Sequence, residues 1–350
     1  MSKIILHLCG GTGINIGDKE LSKISQFGEG FTPLEFNYLD TSLANISKIE
    51  PLGKFWQVTK LKLTDAQILG GGGERRTVFK DILEFIPKYI DEKGLHKRVT
   101  GEYHIVVFSA SGASGGLIGT ALIQKLLAIH IPTIAVVIGD SSNALYATNT
   151  LNTLASLNNI AIKAQKPLSV VYANNNAFRT GSTDGQGIQI VNDRLRNVIG
   201  GLSLFLSGEN QELDQKDLEG YIDQSTYTTI NVAPGLYGLT VNGCGEVTIP
   251  EGGVPTVART LTLPDIPGTI NGLDLLHHKI GYITNENAIK IFEKQVPLHL
   301  ISYSNFFATE SEALQSAVKR YQELEAKIKA SNQLVTGTSN ATEDESGFII

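Results

Sequence analysis

The sequence predicts an α/β protein: a mostly parallel, Rossmann-like sheet forming a first domain, a long central helix, a smaller α+β second domain, and a C-terminal helix with an acidic tail. Three observations predict it. Short apolar runs alternate with stretches whose apolar residues recur every three to four positions. Each run closes on a polar or glycine-rich loop. Past the long helical stretch the texture changes to shorter β-like runs between Gly and Pro turns. Strand, loop and helix in alternation imply a parallel sheet covered on both faces, with ligands bound beyond the carboxyl ends of its strands.

Buried strands are expected at residues 3–8, 103–108, 133–138 and 168–172, and helices at 77–90 and 117–129. One long helix is expected over 187–206, because Ile188, Val191, Leu195, Val198, Ile199, Leu202 and Phe205 share one broad face. Runs such as 227–232 and 298–303 follow, and then a helix at about 311–330 with Leu314, Val318, Tyr321, Leu324 and Ile328 on one stripe. The last 18 residues are Ser/Thr-rich and acidic, with no core of their own. The expected division is a first α/β domain at 1–186, the central helix and its following loop at 187–222, a second α+β domain at 223–309, a C-terminal helix at 310–332 and the tail at 333–350.

Composition narrows the function classes. Of 350 residues, 41% are hydrophobic and 18% charged, and the formal net charge is −6, the balance of a globular, mildly acidic protein. Direct nucleic-acid binding is therefore not expected. Cys9 and Cys244 are too few for a disulfide scaffold and fit a reducing, cytoplasmic setting. The apolar stretch at the start is shorter than that of a signal peptide and runs into a glycine loop, so it reads as a first strand. No stretch approaches the roughly 20 apolar residues of a membrane span. The histidines lack metal-ligand spacing and read as structural or titrating groups.

Three glycine loops stand at strand–helix junctions: Gly10 to Asn15 (GGTGIN), Gly70 to Arg75 (GGGGER) and Ser111 to Gly116 (SGASGG). Without Cβ atoms, backbone N–H groups approach an anion closely, and a following helix adds its positive dipole. Three such loops in one α/β domain favour phosphate binding over simple tight turns. A Walker A loop needs GxxxxGK followed by Ser or Thr, which is absent; a dinucleotide fingerprint needs GxGxxG, which Gly11, Gly13 and Ile16 break.

These loops resemble those of the tubulin/FtsZ GTPase superfamily, and most of all the bacteriophage tubulins of the PhuZ type. The resemblance runs over nearly the whole chain: GGTGIN at Gly10, LDTS at Leu39, GGGGERR at Gly70, YHIVVFSASGASGGLIG at Tyr103, VVIGD at Val136, VND at Val191, LDQKD at Leu213 and the terminal EDESGFII. The signature loop departs from the family pattern, with Ser111 and Ala113 where glycine is usual and Gly116 where serine is frequent.

The resemblance implies GTP and GDP as ligands with Mg²⁺, no metal ligand being assigned. Gly11, Thr12 and Gly13 would meet the α- and β-phosphates, with Asn15 in the same nucleotide loop. Gly72 and Gly73 would approach the γ-phosphate from one side, and Ser111, Gly112, Ala113, Ser114, Gly115 and Gly116 from the other. Asp40 matches the acidic position near the nucleotide and its magnesium. Arg75 would neutralise phosphate charge, or else form a solvated pair with Arg76. An asparagine amide can read the edge of guanine, and Asn192 is an unusual residue inside a helix. The resemblance implies Asn192 and Asn175 as guanine contacts, with Asn174 open as the alternative.

Asp214 and Asp217 stand three apart at the start of an expected helix, on roughly one face. The pattern alone favours capping. The resemblance implies instead that they orient water on the nucleotide of the next subunit, so that hydrolysis requires assembly into a head-to-tail filament. It also implies that the acidic tail, residues 342–350, docks on a neighbouring subunit, and that the filament forms a phage spindle in the host bacterial cytoplasm, positioning phage DNA or the replication compartment. Competing readings are a plasmid-segregation tubulin, a nucleotide-binding scaffold without hydrolysis, and an NAD(P)-binding Rossmann enzyme.

Overall fold

The computed structural model describes residues 3–17, 34–41, 57–62, 75–97, 99–178, 184–207, 210–224, 231–243, 247–286, 289–290 and 296–336. The strands are β1 (Lys3–Cys9), β2 (Leu34–Asp40), β3 (Gln57–Lys62), β4 (Glu102–Ser109), β5 (Thr133–Gly139), β6 (Pro167–Asn174), β7 (Gly235–Gly243), β8 (Val254–Thr262), β9 (His277–Tyr282) and β10 (Leu298–Ser304). The α-helices are α1 (Gly10–Ile16), α2 (Phe79–Glu92), α3 (Ser114–Ala128), α4 (Ala144–Lys163), α5 (Asp184–Ser207), α6 (Gln215–Ile222) and α7 (Phe306–Thr336). The strands form one sheet in the order β3-β2-β1-β4-β5-β6-β7-β10-β8-β9. It is parallel from β3 to β7; β10 runs antiparallel to β7 and β8, and β9 closes the edge parallel to β8. Strands of the 223–309 stretch thus extend the same sheet.

Strand alternation explains how both faces are covered. Ile4, Leu6 and Leu8 of β1, with Ile105 and Val107 of β4, pack toward Val191, Leu195, Ile199, Leu202 and Phe205 of α5. Ile5 of β1, with Val106 and Phe108 of β4, packs toward the opposite layer: Ile82 and Ile86 of α2, Ile118 and Leu122 of α3, and Leu154 and Leu157 of α4. The apolar face read from the sequence of α5 meets the sheet from Val191 to Phe205, with Val198 partly buried, whereas Ile188 at the start of the helix is 38% exposed.

Boundaries differ from expectation where local chemistry intervenes. Residues 75–77 form a 3₁₀ turn, so α2 begins at Phe79. Helix α3 starts at Ser114, inside the glycine loop, and α5 starts at Asp184. Helix α7 is longer than expected at both ends. The expected 227–232 run lies largely outside the described residues. Among the described residues no helix is long and apolar enough to cross a membrane.

Candidate nucleotide site and interface loop

Two glycine loops interlock at the carboxyl ends of β1 and β4. Helix α1 begins directly after Cys9, with Gly10 at φ +70°, a conformation that favours glycine. A Cβ on Gly10 would lie 2.7 Å from Gly115 Cα, and one on Gly115 would lie 2.8 Å from the Cys9 carbonyl oxygen. A Cβ on Gly13 would come within 2.5 Å of the Val107 carbonyl oxygen. Side chains at Gly10 or Gly115 would wedge the two loops apart, and one at Gly13 would push α1 off β1 and β4, so glycine sets the close approach. Ala113 stands at the N-cap of α3 and no side chain caps it, leaving the N-terminal peptide dipoles of α3 beside α1.

A ring of hydroxyls and amides shapes the same loop. Ser109 and Ser111 share a hydroxyl hydrogen bond of 3.0 Å, and Asn149 Nδ2 donates to the Ser111 carbonyl at 3.0 Å. Thr41 and Ser114 join hydroxyls at 2.7 Å, and Asp40, only 2% exposed, accepts the Thr41 N–H at 2.7 Å. Asp40, Thr41 and Ser114 therefore gather hard oxygen donors beside α3, the donor type that Mg²⁺ takes together with phosphate oxygens and water. Among the described residues no group of three or more His, Cys, Asp or Glu is placed to hold a metal.

Arg75 is neither a solvated surface residue nor paired with Arg76. Its Nη2 donates to the carbonyl oxygens of Ala110 at 2.6 Å and Asn149 at 3.1 Å, and to Thr153 Oγ1 at 2.5 Å. Burial lowers its pKa to about 10. The guanidinium thus fastens the 110–112 backbone to α4, and a Cβ on Gly116 would press on it at 2.8 Å. Gly11 and Thr12 are half-buried, whereas the Asn15 side chain is exposed. Gly72 and Gly73 lie outside the described residues, as does the tail at 342–350.

The asparagines converge from two elements. Asn175 opens the 3₁₀ turn after β6, and Asn192 lies on α5, 6% exposed. The Oδ1 atoms of both are buried without a hydrogen-bond partner among the described residues. Asn174 differs: its Nδ2 donates to Ser141 Oγ at 3.3 Å and its Oδ1 accepts the Asn176 N–H at 3.0 Å. One helical turn beyond Asn192, Arg196 is 3% exposed and reaches α1, donating to the carbonyls of Asn15 at 2.6 Å and Ile16 at 3.2 Å. Arg196 was missed in the sequence, although a cation beside Leu195 on an apolar helix face is a signal that it has buried acceptors.

Asp214 and Asp217 form a capping box on α6. Asp214 Oδ1 accepts the Asp217 N–H at 2.9 Å, and Asp217 Oδ2 accepts the Asp214 N–H at 3.3 Å. Asp217 Oδ2 also pairs with Lys279 Nζ at 2.6 Å. Burial alone would raise the Asp217 carboxyl, but the Lys279 and Asp214 hydrogen bonds and the charges of Lys279 and Arg259 bring it below the ordinary carboxylate range. Helix α6 sits at the amino ends of the strands: Glu219 accepts the N–H of Gly101, just before β4, and Asp223 pairs with Lys166, just before β6. The acids and the glycine loops thus stand at opposite ends of the sheet.

No protein-family model matches the chain. A phage tubulin-like protein of Pseudomonas phage phiKZ is 26% identical over 232 residues, which cover 63% of this chain and 63% of that relative. The solved structure of the phage tubulin PhuZ with GDP superposes with a TM-score of 0.74 at 18% identity, covering 100% of both chains. A protofilament of TubZ from bacteriophage PhiKZ gives 0.72 at 19% identity, again over 100% of both chains. The chain is thus similar in sequence to a phage tubulin-like protein over somewhat less than two thirds of each, and it shares the fold of the solved phage tubulins.

Proposed function

We propose that this chain is a GTPase that assembles head to tail into filaments and hydrolyses GTP where two subunits meet. The opposed placing of the two half-sites carries the reading. Glycine loops crown the carboxyl ends of β1 and β4, while Asp214 and Asp217 belong to the amino ends, about 26 Å away for an eight-residue strand at ~3.3 Å per residue. A second subunit stacked in the same orientation brings its acids over the first subunit's nucleotide. Such a contact is heterologous and does not close, so it propagates as a filament. Similar proteins solved with GDP and as a protofilament support both halves of the proposal.

In this reading Gly11, Thr12 and Gly13 hold the α- and β-phosphates, and residues 111–116 with Gly72 and Gly73 surround the γ-phosphate. Arg75 shapes the loop from beneath and adds positive charge there. The unpartnered Oδ1 atoms of Asn175 and Asn192 match the N–H donors on the guanine edge. Mg²⁺, held beside Asp40, would neutralise phosphate charge. Asp214 and Asp217 orient the attacking water, and loop N–H groups stabilise the charge that develops. GTP favours the filament and GDP weakens its contacts. The acidic tail docks on a neighbouring subunit, and the filament serves as a spindle in the cytoplasm of a phage-infected bacterium, without direct contact to nucleic acid or membrane.

Phosphate release and sedimentation measured across protein concentration, with GTP and with ATP, test this. GTP turnover should appear only above a critical concentration and together with pelletable filaments. Turnover independent of concentration, or equal with ATP, would overturn the proposal; GTP-bound filaments without turnover would leave a non-hydrolysing scaffold.

A further inference from the structure

Asp214 and Asp217 look equivalent in sequence but are held differently. Asp214 is exposed, and among the described residues its carboxylate bonds only within the capping box. Asp217 has one oxygen committed and one open: Oδ2 takes both the Lys279 ammonium and the Asp214 N–H, while Oδ1 has no partner among the described residues. Lys279 lies on β9, the edge strand, 62 residues further along the chain.

The rest of β9 fixes the same loop. Gln211 and Tyr282 exchange backbone hydrogen bonds at 2.8 and 3.1 Å, and a Cβ on Gly281 would strike Asn210 Oδ1 at 2.6 Å and Leu213 Cδ1 at 2.8 Å. The side chains of Asn210 and Leu213 thus lie directly over Gly281, against the strand. Behind this contact Arg259 is fully buried, with its guanidinium over the Tyr221 ring at 5.7 Å and Nη1 3.0 Å from His277 Nδ1. Asp217 is therefore faced by Lys279 and His277 from β9, Arg259 from β8 and Asp214 from its own helix.

We infer that Lys279 is a positioning residue for hydrolysis: it pins Asp217 Oδ2 to β9 so that Oδ1 is presented to the water on the neighbouring subunit's nucleotide. This rests on the assembly-dependent GTPase reading above. A carboxylate neutralised in this way is a weak base, which suits a reaction where water is oriented and little proton abstraction is needed in the transition state. An exposed ion pair contributes little to stability, so the contact's effect is expected in turnover rather than in folding.

The test uses the full chain and compares Lys279→Gln, Lys279→Arg, Asp217→Asn and the double variant Lys279→Gln/Asp217→Asn. GTP turnover per assembled subunit is measured across pH, and assembly is measured with a slowly hydrolysed GTP analogue. Lys279→Gln should assemble normally with the analogue yet hydrolyse about 10-fold more slowly. Its acid limb should move to higher pH, because losing the ammonium raises the Asp217 carboxyl. Lys279→Arg should restore most of the rate, and the double variant should be no slower than Asp217→Asn. If Asp217→Asn is slow but Lys279→Gln keeps both the rate and the acid limb of the unmodified chain, the positioning role is overturned and the hydrolysis site stands. Loss of analogue-driven assembly in Lys279→Gln also overturns it, since Lys279 would then be an interface contact. Unchanged turnover in Asp217→Asn overturns the site and the inference together.

Discussion

Arg196 on α5 and Asn15 on α1 are joined by a 2.6 Å hydrogen bond from the guanidinium to the backbone carbonyl, and the same side chain also holds Ile16. The nucleotide loop that opens α1 is thereby tied at its far end to the helix that carries Asn192. Asp193, exposed one turn back, also bonds the guanidinium at 2.6 Å. The position of the α1 loop and that of the α5 turn carrying Asn192 are thus coupled through one buried cation.

Replacing Arg196 with Met should lower stability and nucleotide affinity together. The buried Ile16 carbonyl would lose its donor, at about 1–3 kcal/mol, and the part-buried Asn15 carbonyl would lose one at a smaller cost. Urea unfolding of the apoprotein and GTP titration measure the two effects. A variant that is destabilised but binds GTP with unchanged affinity would show that the coupling does not reach the site.

Asn192→Leu should preserve the fold and lower GTP affinity about 10-fold, the equivalent of ~1.4 kcal/mol, with a smaller effect on ATP. The amide oxygen has no partner to lose among the described residues, so the loss should be seen with ligand. Competition between GTP and ATP in the unmodified and variant chains reads this directly, and an equal loss for both nucleotides would remove Asn192 from base recognition.

How much of this was legible depends on where polar residues fall. Strands β1, β4, β5 and β6 were readable because their apolar runs are nearly unbroken. Strand β2 was not read from periodicity, since Glu35 and Asn37 are buried and interrupt it. Helix α4 was missed for a related reason: Asn149, Thr150 and Thr153 lie on its buried face, where they bond the signature loop and the end of β5. The Asp214–Asp217 capping box was visible as a three-residue spacing. Lys279 was not, because a strand from the far end of the sheet supplies it. Arg75 was seen as a charge near the loops, but its bonding to carbonyls needs the packing of α4 against the loop.

Gly115→Ala and Gly112→Ala should separate packing from composition in the signature loop. A Cβ on Gly115 meets backbone atoms of Cys9 and Gly10, which cannot move without shifting α1, whereas a Cβ on Gly112 meets only the Ser109 side chain at 3.9 Å. Gly115→Ala should therefore lose roughly 1–3 kcal/mol of stability from overpacking and weaken GTP binding at least 10-fold. Gly112→Ala should keep the stability of the unmodified chain. Equal stability of the two variants in thermal and urea unfolding would refute the interlocked-loop account.

The core beneath the site carries a pH dependence of its own. His7 Nδ1 lies 2.7 Å from Tyr89 Oη and His7 Nε2 lies 2.8 Å from His104 Nδ1, with the two rings stacked at 5.1 Å. A nitrogen–nitrogen contact of that length holds one proton, so both imidazoles cannot be charged without breaking it. Burial lowers the His7 pKa, reinforced by the charges of His104 and Lys93; burial also lowers His104, to about 3, with Glu35 opposing and Lys3 adding to the shift. In the unfolded chain both titrate near 6.5. The unfolded state therefore takes up protons first as pH falls, and the contribution to stability, present above pH 6.5, is lost as pH drops from there toward 3. His104 and His7 both contribute to this loss in the same direction. Glu35, held below its ordinary range by Lys3 and Lys93 against the effect of burial, gives a loss of the same sign at lower pH, through the carboxylate range. Urea unfolding at pH 7, 6 and 5 should accordingly show a decline that begins above the carboxylate range. In the double variant His7→Leu/His104→Leu that decline should flatten between pH 6.5 and 5 while the steeper loss below about pH 4.5 remains. A slope between pH 6.5 and 5 identical in the two proteins would mean that the histidine pair does not titrate on unfolding as its burial requires.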